Sequence, residues 1–208
     1  MKITEVRDTM YRELAPHLPG WKLVKKAQAF VRPIAGGEQQ IIISVVDYKP
    51  EFRVSLTFVT RLEAVEALFH RASGIPLAAQ KSSFSSITQL AYFYPNEPNQ
   101  KQFAVHDEAE IAAAVNELAP VLRDEALPLL DRTRTVEALD AAMNGSDDRF
   151  DTSDPTMRTL HALAIAHVAR NPHFDALVAR YQTEMSGFHP ELRKKVATLV
   201  AELTKEPP

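Results

Sequence analysis

The sequence predicts an α+β fold: an antiparallel sheet of about four to five strands with helices on one face, followed by a helical carboxyl-terminal tail. Three observations carry this expectation. Ile3, Val6, Met10 and Leu14 recur at three- and four-residue spacings, which is one face of a helix. From Trp21 to Thr60 the chain then switches to short apolar runs, one of which alternates as half-buried strands do. Beyond residue 155, three polar and apolar patterns return to the helical period.

In chain order, the first helix stops before Pro16, and Pro19-Gly20 turns the chain. "QAFVRPI" reads as a short strand, and Gly36-Gly37 as a turn into "QQIIISVVD". The run "IIISVV" is nearly all apolar and suggests a central strand covered on both faces. "YKPEF" closes a hairpin into "RVSLTFVT", in which Val54, Leu56 and Phe58 share a face. Thr60 and Glu63 have the spacing of a capping box, ahead of the stripe Leu62, Val65, Leu68 and Phe69. Gly74 and Pro76 end that helix.

"SSITQLAYFY" and "KQFAVH" read as two more strands joined by "PNEPNQ". Asp107 and Glu110 repeat the capping-box spacing before a helix striped by Ile111, Val115, Leu118 and Leu122. Pro120 inside that stripe predicts a kink or break, and Pro128 repeats the problem. A short helix spans Val136–Met143 and stops at Asn144-Gly145. The polar stretch 146–154 reads as a linker that ends with Asp154 capping a helix begun by Pro155. Helices at 156–170, 173–185 and 190–205 follow, the last striped by Leu192, Val196, Leu199 and Leu203. The organisation is thus an α+β body at 1–145, a linker at 146–154, and a helical tail at 155–208 packed on the body.

Composition sets the outer bounds. With 208 residues, 45% hydrophobic and 25% charged, the chain can bury a real core. A net charge of -3 gives no general attraction to nucleic acid or an anionic membrane. The absence of cysteine removes disulfides, thiolate catalysis and cysteine-ligated metals. The charged opening stretch is not a secretory signal, and no window is apolar enough to span a membrane. The expected setting is cytoplasmic.

His161, His167 and His173 recur every six residues and invite a metal or catalytic reading. Six helical positions rotate a side chain by about 600°, so neighbouring rings face apart, whereas zinc pairs use spacings of three or four. No Asp or Glu stands three or four positions from His161 or His167 to orient a ring. They read as helix-contact and helix-end residues.

Asp147, Asp148, Asp151 and Asp154 suggest calcium, but Arg149 and Thr152 occupy positions that an EF-hand loop gives to a ligand and a glycine. No phosphate-binding glycine motif or serine-nucleophile motif occurs. "KSSFSSIT" reads as loop and strand edge. Tyr92 and Tyr94, with Arg32, Arg53 and Lys101, could form a base-stacking sheet surface, but the RNP-type motifs are absent and the charge is unfavourable. No catalytic, cofactor-binding or metal-binding residue is assigned.

The hairpin tip is the candidate contact surface. Asp47, Tyr48, Lys49, Glu51 and Arg53 combine aromatic bulk with both signs of charge, a mixture common at protein interfaces.

The stretch "FVRPIAGGEQQIIISVVDYKPEFRVSLTF", after an amphipathic helix and before further strands and helices, resembles uncharacterised bacterial domain-of-unknown-function families. That resemblance implies a protein-binding role. The expected function is a non-enzymatic bacterial interaction protein of immunity or adaptor type, with another protein as partner and no cofactor. The alternatives are an enzyme assembled from distant segments, using His70, His106 or Asp107, and a small-molecule-binding sensor.

Overall fold

A computed structural model describes residues 1–94, 101–145, 150 and 155–205. The protein is α+β, with an antiparallel sheet and a helical carboxyl-terminal region. The strands are β1 (Lys22–Val24), β2 (Ala29–Ile34), β3 (Gly37–Asp47), β4 (Phe52–Leu62), β5 (Ser86–Gln89) and β6 (Phe103–Val105). Their order is β1-β2-β3-β4-β5, with β6 also paired to β4. Lys22 stands opposite Val31 in β1–β2, and Phe52 opposite Val105 in β4–β6.

The helices are α1 (Ile3–Leu14), α2 (Glu63–Ser73), the single turn α3 (Leu77–Gln80), α4 (Glu108–Val121), α5 (Leu127–Arg132), α6 (Val136–Met143), α7 (Pro155–Val168), α8 (Phe174–Glu184) and α9 (Pro190–Leu203). Among the described residues, no helix is long and apolar enough to cross a membrane. The chain divides into two compact units. The first comprises 1–33, 38–59 and 88–131, and the second 34–37, 60–87 and 132–208.

In the first unit, α1 packs on α4 with Val6, Met10 and Leu14 fully buried. Along β3, Ile41, Ile43 and Val45 are buried while Ser44 and Val46 are exposed. The apolar run therefore has one covered face rather than two, and the period of two outweighs bulk hydrophobicity. The segment read as one strand from "SSITQLAYFY" is only β5, followed by a 3-10 turn at Leu90–Phe93 that buries Leu90 and Phe93. Tyr92 and Tyr94 thus lie beyond the strand and form no stacking face on it. Arg32 lies over the Trp21 ring at 4.4 Å and pairs with Asp131 at 2.8 Å. Lys101 covers Tyr94 and pairs with Glu117 at 3.1 Å.

The α-helical stretch α4 ends at Val121, one residue after Pro120. A π turn at Leu122–Ala126 links α4 to α5, and the Leu127 amide reaches the Leu122 carbonyl. A wider turn of this kind lets the chain continue past prolines that lack an amide donor. Asp107 caps α4 by accepting the Glu110 amide at 2.9 Å. Glu110 in turn accepts the His106 amide at 2.6 Å and His106 Nδ1 at 2.8 Å.

The second unit gathers α2 with α6, α7, α8 and α9. α2 packs on α7 and α9, and α7 packs on α6, α8 and α9. Val65, Phe69, Leu139, Leu163, Tyr181 and Leu199 are fully buried there. A polar network runs through this core. Tyr181 donates to Asn144 Oδ1 at 2.9 Å, Asn144 donates to Asp140 at 2.7 Å, and Asn171 donates to the other Asp140 oxygen at 2.6 Å. The loop at 95–100, the linker at 146–154 save Phe150, the acidic run from Asp147 to Asp154 and the Asp154 cap lie outside the described residues.

Candidate functional site

β4 continues to Leu62, so Thr60 is a fully buried strand residue and the Thr60–Glu63 capping box does not form. α2 instead starts at Glu63, whose amide donates to the Gly36 carbonyl at 2.9 Å. This start sets the helix phase. Leu62, Val65, Glu66 and Phe69 follow the i, i+3, i+4, i+7 rule for one face, and all four are buried. Leu68 is only half-buried. A glutamate on an apolar face has no exposure to water (0%), and this position organises the site.

A buried carboxylate needs hydrogen bonds and positive charge. Glu66 has both. The Ser85 hydroxyl donates to Oε1 at 2.7 Å, and the Ser83 hydroxyl donates to Oε2. Arg61 Nη1, from the end of β4, stands 4.0 Å from Oε2. The same guanidinium binds Glu63 at 2.8 and 3.1 Å and holds that carboxyl below its usual range against the opposing effect of burial. It also donates to the Gln80 carbonyl at 2.9 Å and the Ser83 carbonyl at 2.7 Å.

Two histidines complete the cluster. His70, one turn after Glu66, places Nε2 at 2.6 Å from Ser83 Oγ and 3.4 Å from Glu66 Oε2. The Ser83 hydrogen is directed to an acceptor, either Glu66 or the Gln80 carbonyl at 2.9 Å, so His70 Nε2 carries the proton and donates to Oγ. His161 comes from α7 and stacks on Phe69 with centroids 3.9 Å apart. Its Nδ1 donates to the Met157 carbonyl at 3.0 Å. Its Nε2 is buried without a hydrogen-bond partner, 3.6 Å from Glu66 Oε1. Burial pushes the His161 pKa down, more strongly than the neighbouring Glu66 raises it. The neutral ring therefore leaves an unused lone pair at Nε2.

His161 also lines a cleft of about 410 Å³. Its apolar wall comprises Ile75, Ala79, Phe84, Ile87, Met143 and Met157. Its polar groups are Ser82, Ser83, Ser85, Ser86, Arg158 and His161. Glu66 and His70 border a second, more polar cleft of about 520 Å³ with Arg61, Arg71 and Lys81. Among the described residues, no group of three or more His, Asp or Glu is placed to hold a metal ion.

Ser83 is crowded rather than poised. Its Oγ has Glu66 and the Gln80 carbonyl as acceptors and His70 and Arg61 as donors, the latter at 3.3 Å. One hydrogen and two lone pairs are taken up by these contacts, which leaves no free pair for attack on a carbonyl.

The sequence-read residues are distributed differently. At the hairpin tip, Tyr48 is 60% exposed and Val46 43%. Asp47 accepts the Lys49 amide at 3.1 Å, and Glu51 accepts Arg53 Nε at 2.5 Å. These contacts are local to the turn. His106 and Asp107 serve the start of α4 in the first unit, and His70 belongs to the second. His161 is a helix-contact residue, and its acidic neighbour is Glu66 of α2 rather than a residue of α7. His167 is buried edge-on against Phe174. The serines of "KSSFSSIT" enter the site by hydrogen-bonding a carboxylate in another element. Glu66 was the detectable signal, as an acid set between the apolar positions Leu62, Val65 and Phe69. No family model, curated protein or solved structure matches this chain.

Proposed function

We propose that this chain is a non-enzymatic binding protein that holds a small molecule in the cleft lined by Ile75, Phe84, Met143, Met157 and His161. The observation that carries this reading is the cleft of about 410 Å³ itself, whose wall is largely apolar with a few polar groups. Small-molecule sites combine apolar walls with a few placed polar groups, and this volume lies in their usual range. The filled valences of Ser83 Oγ favour binding over covalent catalysis.

A thermal-shift screen of the purified full chain tests the proposal. Hits are expected to raise the melting temperature of the wild type but not of Ala79→Trp, which fills the cleft from an exposed turn. Ester or amide hydrolysis that disappears in Ser83→Ala would overturn the non-enzymatic reading.

A second reading is a protein-contact surface at the hairpin tip, built on Asp47, Tyr48, Lys49, Glu51 and Arg53. The exposed Tyr48 and Val46 support it. Tyr48→Ala is expected to weaken partner capture without altering the thermal-shift response of the cleft. Cytoplasmic residence belongs to the same proposal, and cell fractionation checks it.

A further inference from the structure

Resting on the cleft reading above, we infer that the ligand is an uncharged, largely apolar molecule with a single oxygen function, which meets the hydroxyl of Ser86. A buried hydroxyl beside a wall of incompletely covered carbon carries this inference. Ser86 lines the cleft from β5, is only 5% exposed, and its hydroxyl has no hydrogen-bond partner among the described residues. Buried hydroxyls are ordinarily satisfied, so this one keeps a donor and an acceptor for a guest.

The other polar groups of the lining are already engaged. Ser82 donates to the Ala79 carbonyl at 3.1 Å, and Ser85 donates to Glu66 at 2.7 Å. Ser83 is filled by Glu66, Gln80 and His70. His161 directs its one ring hydrogen to the Met157 carbonyl. Arg158 donates to the Met143 carbonyl at 3.5 Å and has further interactions within the protein. An anion would have to compete with those groups for the guanidinium. A cation would find no Asp or Glu among the lining residues. Either ion gives up its hydration here without an uncommitted opposite charge to replace it, whereas a neutral guest gives up far less.

Carbon and sulfur supply the rest. Ile75, Phe84, Ile87 and Met157 are each only half-buried, and all four meet in this one wall. Covering their remaining surface is the favourable part of binding, and an aromatic face beside a flexible thioether suits a ring. A cleft of about 410 Å³ has room for one ring with a short chain.

Isothermal titration calorimetry on the full chain at neutral pH, with matched probes, decides the matter. The probes are 4-phenylbutan-1-ol, 4-phenylbutanoate and 4-phenylbutylamine, which differ only in the head group. The alcohol is expected to bind at least about tenfold more tightly than either ion, a difference of about 1.4 kcal/mol. Ser86→Ala, which removes only the hydroxyl, should weaken the alcohol about fivefold with an unchanged circular dichroism spectrum. Ala79→Trp should abolish binding of every probe.

Acid or amine binding as tight as that of the alcohol, still lost in Ala79→Trp, overturns the uncharged class and leaves the cleft reading standing. An alcohol affinity unchanged by Ser86→Ala removes the Ser86 contact and overturns the inference as well. If the alcohol does not bind below about 1 mM, the inference falls. If, in addition, no hit of the broad screen responds to Ala79→Trp, the cleft reading falls with it.

Discussion

His161 Nε2 faces Glu66 Oε1 across 3.6 Å, and the ring's only hydrogen is committed to the Met157 carbonyl on the opposite nitrogen. A neutral imidazole and a carboxylate oxygen therefore present lone pairs to each other inside the second unit. The protein tolerates this because Ser83, Ser85, Arg61 and His70 satisfy the carboxylate from other directions.

Stability should fall in mild acid. Burial lowers the His161 pKa below its ordinary 6.5, an effect opposed by Glu66 and increased by His70. The unfolded chain therefore binds this proton more readily than the folded one, so its contribution is complete above about pH 6.5 and declines as pH falls below that. Urea midpoints between about pH 5 and 8 measure it. His161→Phe, which preserves stacking on Phe69, should flatten the slope in the acidic half of that window.

Removal of the Glu66 side chain should be severe. Glu66→Ala takes the carboxylate acceptor from the buried Ser85 hydroxyl and from His70, while Arg61 keeps Glu63 and Ser83 keeps the Gln80 carbonyl, at a cost of about 3 kcal/mol. Glu66→Gln keeps an acceptor and the side-chain volume, and should cost about 1–3 kcal/mol. Chemical denaturation of the two variants separates the charge from the shape.

Gly37 is required by proximity rather than by conformation. A Cβ at this position would lie 1.9 Å from the Arg61 carbonyl oxygen, and that obstacle is backbone. Gly37→Ala is expected to destabilise by about 3 kcal/mol through forced displacement of the strand pair. At Gly36 nothing lies within 4 Å, but its φ of +73 disfavours a side chain. The alanine cost there should be closer to about 1 kcal/mol.

The buried amide network of the second unit can be probed from its aromatic end. Tyr181→Phe removes the donor to Asn144 while preserving the packing, and should cost about 1 kcal/mol. Asp140→Ala removes the carboxylate acceptor from Asn171 and from Asn144, which keeps the Ala162 carbonyl at 3.1 Å, and should cost roughly twice that. Guanidinium titration with unchanged m-values would show that both effects act on the folded state.

Periodicity made most of the fold legible. α1, α2, α4, α6 and the helices beyond 155 fall where stripes of Leu, Val and Ile recur, because core burial decides helix phase. The failures came where a local rule competed with tertiary structure. Thr60 has the spacing of a cap, yet strand pairing carries β4 two residues further. Pro120 marks the end of α4, yet a π turn at Leu122–Ala126, which no local spacing announces, carries the chain on into α5. The hydroxyls of Ser83 and Ser85 and the ring of His161 acquire meaning only through Glu66, which lies far away in sequence. Spacing rules describe neighbours on one element and are blind to partners on another. The position of Glu66 within its apolar stripe was the one clue available locally.

Residues 81–85, between α3 and β5, lie outside the helices and strands. Arg61 grips the carbonyls of Gln80 and Ser83, and Glu66 receives the hydroxyls of Ser83 and Ser85. A segment tethered by the side chains of Arg61, Glu66 and His70 opens as a piece, so its amides should exchange with solvent deuterium together and well before those of α7. Because the same residues wall the cleft, the proposed binding predicts that the rate of this breathing would limit the entry of a guest. Arg61→Met should therefore act as a loosened hinge pin, hastening exchange in this stretch alone.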